Sequence, residues 1–281
     1  MTSQTDQQPD SRPGRQGRYV PGYSPATVQH HATRTAAQQA AFFLPHLRAG
    51  MSLLDCGCGP GTITLGLAQA VAPGQVVGID IEPRVIERAG TLGQEQGISN
   101  IRFQVGNAYE LPFSDGSFDA SFASALLHHL KQPIDALKDM RRVLKPGGVI
   151  GIRNTDIDGR IIGPANHGLE DYYTLYDRIS KHHGSNHRLG RRLRGMLRQA
   201  GFVRIEASAS YDCYGTPGET RELAQSQIAR IKSTPAFDKA VEAGLVDRTA
   251  LEKIIAAWEK WGEDPDAFCA DARCEAVAWK A

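Results

Sequence analysis

The sequence predicts an α/β protein built on a doubly wound, mostly parallel sheet of seven strands, the last strand antiparallel. A helical cap precedes the sheet and a helical insertion precedes its last strand. Three observations carry this reading. Short apolar runs alternate with helical stretches from Met51 to Val149, and parallel strands need such crossover helices. The first run, Ser52-Leu53-Leu54-Asp55, breaks into Gly57, Gly59 and Gly61 before a helix starts at Thr62. The second run, Gln75 to Glu82, carries another acid, Asp80, spaced from Asp55 by one crossover helix and a return.

Composition sets the class. A chain of 281 residues holds one large domain, or one domain with an insertion, and buries a full core. Apolar residues make up 41% and charged residues 22%, the balance of an ordinary globule. A net charge of +1 gives no electrostatic footprint for nucleic acid or an anionic membrane. No run of about 18 apolar residues is present to span a bilayer. The first residues lack the apolar core of a secretory leader, so the 5 cysteines are expected as free thiols in a reducing cytoplasm. Cys56 and Cys58 are too close to clip anything, and no metal is expected.

The elements follow in order. Met1 to Arg18 is rich in Gln, Pro, Ser, Gly and Arg and is expected to be a disordered tail. Residues 19–48 are expected to form the cap. Tyr23 sits beside Pro21-Gly22, and Ser24-Pro25 has the form of an N-cap with proline at the first helical position. A helix from Pro25 to Leu44 places His31, Arg34 and Thr35 on one face. The core is expected over 49–213, a lid over 214–270 and the final strand over 271–281.

The glycine turn is the centre of the chemistry. Glycine permits positive φ and lets a ligand touch the backbone. The following helix aims N–H groups and a positive dipole end at it. Phosphate is the usual ligand there, but Thr62 stands where a dinucleotide site has its third glycine, and Asp55 would repel a pyrophosphate. A ligand with a cationic amino-acid end fits better.

With these residues in place, Asp55-x-Gly57-x-Gly59-x-Gly61 resembles motif I of the class I S-adenosylmethionine-dependent methyltransferases, closest to the UbiE-like small-molecule branch. The resemblance is strong from Met51 to Val149. It implies a Rossmann-like fold with S-adenosyl-L-methionine as cofactor and S-adenosyl-L-homocysteine as product. It also implies roles: Arg34 for the methionine carboxylate, the turn around Asp55, Gly57, Gly59 and Thr62 for the amino-acid end, Asp80 for the ribose hydroxyls and Ile81 against adenine. Gly106-Asn107-Ala108 stands where the family writes Gly-Asp-Ala, so Asn107 and Ala108 are expected at the adenine edge. Leu111 to Asp119 matches the family's segment leading into the fourth strand, whose end, Ser124, borders the cofactor.

Ser124 to Leu130 lies where open α/β sheets place their sites. His128 and His129 resemble the family's histidine pair there. Adjacent side chains point apart, so one of the two, His128, is expected to face the pocket, and with His31 it is the candidate base. Asn154, at the end of the fifth strand, is a candidate acceptor contact, as are Tyr23, His129 and Tyr172. The stretch from Asp158 to Arg188 is rich in histidine and tyrosine. It reads as an apolar helical stripe (Tyr172, Leu175, Tyr176) followed by a polar loop to His187, not as a metal box. Leu189 to Gln199 reads as a basic helix with a solvated face. Val203 to Tyr211 is the sixth strand, and Cys274 to Trp279 the seventh, inserted between strands five and six. Methyl transfer from a sulfonium needs alignment and exclusion of water more than acid–base help. The expected reaction is O- or C-methylation of a small phenol-, enol-, quinone- or polyketide-like acceptor. The alternative is a non-methylating step (rearrangement, decarboxylation or a pericyclic reaction) in the same pocket. A homodimer is compatible with the sequence.

Overall fold

The computed structural model describes residues 34–165 and 168–281. Tyr23, His31, the predicted tail and the start of the predicted cap helix lie outside the described residues. The first half holds α1 (Ala36–Gln39), β1 (Leu53–Cys56), α2 (Thr62–Val71), β2 (Val76–Asp80), α3 (Pro83–Glu95), β3 (Ile101–Val105), β4 (Phe118–Ser124), α4 (Pro133–Val143) and β5 (Leu144–Thr155). The second half holds β6 (Ile161–Gly163), α5 (Glu170–His182), α6 (Leu193–Gln199), β7 (Val203–Tyr214), α7 (Pro217–Ser233), α8 (Pro235–Glu242), α9 (Arg248–Gly262) and β8 (Phe268–Trp279).

The strands form one eight-stranded sheet in the order β3-β2-β1-β4-β5-β8, with β6 and β7 also pairing β8. The first five strands are parallel, and β8 runs antiparallel to β5, β6 and β7. The mostly parallel, doubly wound sheet is as the sequence predicts, with the antiparallel strand between β5 and β7. The eighth strand is β6, which resumes along β8 after the turn at Ile157–Gly159. Three residues are too short to show an alternating pattern. β8 starts at Phe268 rather than Cys274 because its first residues, through Asp271 and Arg273, pair with β7.

β1 is buried along its whole length, so it reads as a continuous apolar run. Its side chains still alternate. Leu53 joins Val76, Phe122, Leu67, Ala68 and Val71 on the α2 face. Leu54 joins Ile79, Ile150, Leu137, Met140 and Leu197 on the face covered by α4 and α6. Each such side chain contributes roughly 1.5–3 kcal/mol of transfer free energy. Asp55 shares the Leu53 face and therefore meets α2. The basic stretch folds as a turn plus α6, with Leu193, Met196 and Leu197 buried and Arg192, Arg194 and Arg198 exposed.

The predicted helix to Leu44 ends early. α1 stops at Gln39, Ala40 leaves helical geometry at φ −124°, and Leu44–His46 forms only a short 3₁₀ turn. The break turns Phe43 inward, where its ring stacks on Phe122 with centroids 5.6 Å apart. A third apolar cluster unites α5, α7, α8 and α9 through Tyr172, Tyr176, Leu223, Phe237, Trp258 and Trp261. The Trp261 indole N–H donates to the Gly163 carbonyl at 2.7 Å and ties this layer to β6. α5, placed within the core segment by the sequence, packs with the helices that follow β7.

Candidate active site

The cavity opens at the carboxyl ends of β1, β2 and β4, where the parallel strands hand over to their helices. Gly57, Gly59 and Gly61 take φ of 73°, 54° and 84°. At Gly61 a Cβ would stand 2.8 Å from the Phe103 ring and 3.0 Å from Ala89, so only glycine lets α2 start this close to β3. At Gly59 a Cβ would meet nothing within 4 Å, which leaves bare backbone facing the cavity.

Arg34, Gly57, Gly59, Thr62, Asp80, Ile81, Asn107, Ala108 and Ser124 all line this cavity. Asp80 Oδ2 accepts from the Gly59 N–H and Oδ1 from the Glu82 N–H, both at 3.1 Å. Each oxygen keeps acceptor capacity. Burial, opposed by these bonds, raises the Asp80 carboxyl above the usual carboxylate range. Ile81 is 44% exposed, an apolar side chain at the cavity wall for a flat ring to cover. Asn107 Oδ1 accepts from the Tyr109 N–H at 3.0 Å, which fixes the amide orientation at the rim.

Two predicted residues do not reach the cavity. Asp55 is buried beneath the turn, where Thr64 Oγ1 donates to its Oδ2 at 2.7 Å. Burial pushes its carboxyl up to about 7, against that hydrogen bond. Asn154 is buried behind His128, with Oδ1 3.0 Å from His128 Nδ1. It therefore orients an imidazole instead of touching an acceptor. The reason in both cases is the strand period: side chains next to the site residues point into the layers.

His128, His129 and Tyr172 line the cavity. Both histidines of the pair face it, where the sequence expects one, because Leu127–His129 forms a 3₁₀ turn with ring centroids 3.9 Å apart. Burial pulls His128 down to about 4, so it is neutral near pH 7 and a weak base. The Tyr172 hydroxyl donates to Gln227 Oε1 at 2.6 Å, and burial raises that phenol to about 12.

Several cavity residues escape the sequence reading: Arg160, His187, Tyr214, Arg230, Asp271 and Arg273. They come from five separate elements and connections. Arg160 pairs with Asp271, and Arg273 Nε with Asp212 Oδ2 at 2.7 Å. Asp212 also takes Arg153, at 2.6 Å, and so joins β5, β7 and β8. The only sequence signal for His187 is the density of histidines before Arg188.

A doubly wound sheet with a glycine turn, an acid at the end of β2 and an apolar wall beside it is a nucleoside-binding site. The comparisons place it. A family model described as a methyltransferase domain matches residues 47–201. An uncharacterized methyltransferase of Schizosaccharomyces pombe is 31% identical over 264 residues, covering 90% of this chain and 93% of its own. A probable methyltransferase, ltbC, of Aspergillus luteorubrus is 31% identical over 291 residues, covering 95% and 99%. Among solved structures, the [4+2]-cyclase SpnF shares the fold with a TM-score of 0.51 at 24% identity, covering 90% of this chain and 80% of that one. The chain belongs to the methyltransferase-domain family, and it is an S-adenosyl-L-methionine-dependent methyltransferase of the UbiE-like kind. The residues present fit that cofactor: unblocked backbone at Gly59, a carboxylate with acceptor capacity at Asp80 and an uncovered apolar side chain at Ile81.

Proposed function

We propose that the protein transfers the methyl group to oxygen or carbon of a small, partly aromatic acceptor of the phenol, enol, quinone or polyketide kind. The observation that carries this reading is the lining beyond the cofactor turn. Tyr172, Tyr173, Tyr176, Tyr214 and Trp258 line the cavity together with His128. Such walls suit a flat, conjugated molecule, and the few polar groups among them fix its orientation.

In this reading Arg34, Gly57, Gly59 and Thr62 hold the amino-acid end of the cofactor. Asp80 holds the ribose, and Ile81, Asn107, Ala108 and Ser124 border the base and sulfur. When bound, the cofactor supplies an electrophilic methyl on a good leaving group. The chain aligns the acceptor with it and keeps water out. His128, oriented by Asn154, presents Nε2 to the acceptor. Its weak basicity confines any proton transfer to acidic hydroxyls. His129 and Tyr172 contact the acceptor, and the helices from Pro217 to Gly262 close over it.

The test is incubation of the purified protein with cofactor and a panel of phenolic and enolic acceptors, read by product mass. A gain of one methyl on an oxygen or carbon is expected. Methylation of amines alone would sink the acceptor class, and a product of unchanged mass would move the reading to the rearrangement alternative.

A further inference from the structure

The cavity holds a cluster of three histidines, of which His187 has no part in methyl transfer by alignment. His128 and His129 come from the turn after β4, and His187 from the loop between α5 and α6. All three side chains line the cavity, and one ring nitrogen from each lies within 4.8 Å of the others. Ring centroids are 4.6 Å apart for His128 and His187 and 5.6 Å apart for His129 and His187. The main chain fixes the cluster. The Asn186 N–H donates to the His128 carbonyl at 2.8 Å, and the Ile157 N–H donates to the His187 carbonyl at 2.9 Å. The two segments are thus fastened before any ligand arrives.

Two features separate this cluster from histidines that merely pack. His187 is 5% exposed, and its Nε2 is buried with no hydrogen-bond partner. A buried nitrogen left in that state costs free energy and calls for a partner. His128 has Nδ1 against the Asn154 carbonyl oxygen, so Nδ1 carries the proton and Nε2 keeps its lone pair. A carbonyl behind the far nitrogen is how metal-binding imidazoles are held.

We propose that His128, His129 and His187 form a three-histidine site for one divalent transition-metal ion of the zinc, cobalt or nickel type, open to the cavity on its fourth side. Neutral nitrogen donors select such ions over magnesium or calcium. Three protein ligands with an open position is the arrangement of reactive sites, not structural ones. Of the cavity cations Arg34, Arg160, Arg230 and Arg273, Arg160 is paired with Asp271 and Arg273 with Asp212. The open position suits an acceptor oxygen, and this part alone rests on the phenol-or-enol reading above. A hydroxyl bound there would be acidified by the ion, its proton leaving with solvent before the site closes for methyl transfer. With the ion in place His128 is a ligand, and acidification no longer depends on its weak basicity.

The test uses full-length protein without a polyhistidine tag, stripped with a chelator and titrated with Zn²⁺ and with Co²⁺ by calorimetry. One equivalent of each is expected, with the intense visible absorption of a low-coordinate cobalt–nitrogen site. His187→Gln and His128→Gln are each expected to weaken binding at least tenfold. Asn154→Ala is expected to weaken it roughly ten- to hundredfold through loss of orientation. Failure of the stripped wild type to bind either ion stoichiometrically overturns the site, and so does equal binding by folded His187→Gln protein. S-adenosyl-L-homocysteine affinity, measured in parallel, keeps the two readings apart. It is expected to be the same in wild type and His187→Gln, whatever the metal result.

Discussion

Asp55 is buried under the glycine turn with its carboxyl raised to about 7, through burial and against the Thr64 hydrogen bond. Its folded pKa therefore lies above its unfolded value. Such a group contributes stability that is complete at low pH and is lost as pH rises from about 4 through 7. Asp55→Asn keeps an acceptor for Thr64 and cannot ionise. The variant is expected to keep its stability between about pH 5 and pH 8 while the wild type loses a few kcal/mol. Urea melts across that range check it. A wild-type-to-variant difference that stays constant with pH would refute the raised carboxyl. The sequence locates this acid but assigns it to the ligand, because motif spacing says nothing about which side of the turn a strand residue faces.

Among the elements, β1, β2, β4 and β5 are legible because each is an apolar run bounded by turn residues and matched to its helix. The short β6 and the true start of β8 are not, since both depend on partners distant in the chain. Charged residues on β5, β7 and β8 hide a further join. Asp212 binds Arg153 at 2.6 Å and Arg273 at 2.7 Å. Burial opposes its ionisation, but Arg273 and Arg153 outweigh it and hold the carboxyl at about 2. A depressed folded pKa gives stability that is present above about 4 and is lost as pH falls toward 2. Asp212→Asn leaves both arginines without that charge, one of them 4% exposed. Arg153 keeps Glu275 and Arg273 keeps Asp271, so a loss of about 1–3 kcal/mol is expected at neutral pH, shrinking as pH falls. Thermal melts at neutral and acid pH check it, and an equal loss at both would show that the charge is not what joins the strands.

At the scale of the whole molecule, the cavity lies between two parts of different origin. Its cofactor half comes mainly from one contiguous stretch, Gly57 to Leu130, and so a single sequence displays it. The half proposed for the acceptor is gathered from α5, α7, α9 and β8, and no local pattern announces that His187 and Trp258 will share a wall. The helical layer has its own apolar cluster and is tied to the sheet through the Trp261 indole and the Gly163 carbonyl. Trp261→Phe keeps one aromatic ring and removes that donor, leaving a carbonyl unmatched and a small cavity at a combined cost of about 2–4 kcal/mol. The loss should appear first as local opening of α7–α9, since weakly tied layers open below the global unfolding free energy. Amide exchange is expected to accelerate in α7–α9 and not in β1 or α2. KM for the acceptor should rise, while S-adenosyl-L-homocysteine affinity stays within about twofold, because the cofactor turn is anchored in the other cores. Uniform acceleration across sheet and helices would mean that the two parts open as one cooperative unit. The helical layer could not then admit the acceptor while the cofactor half stays closed.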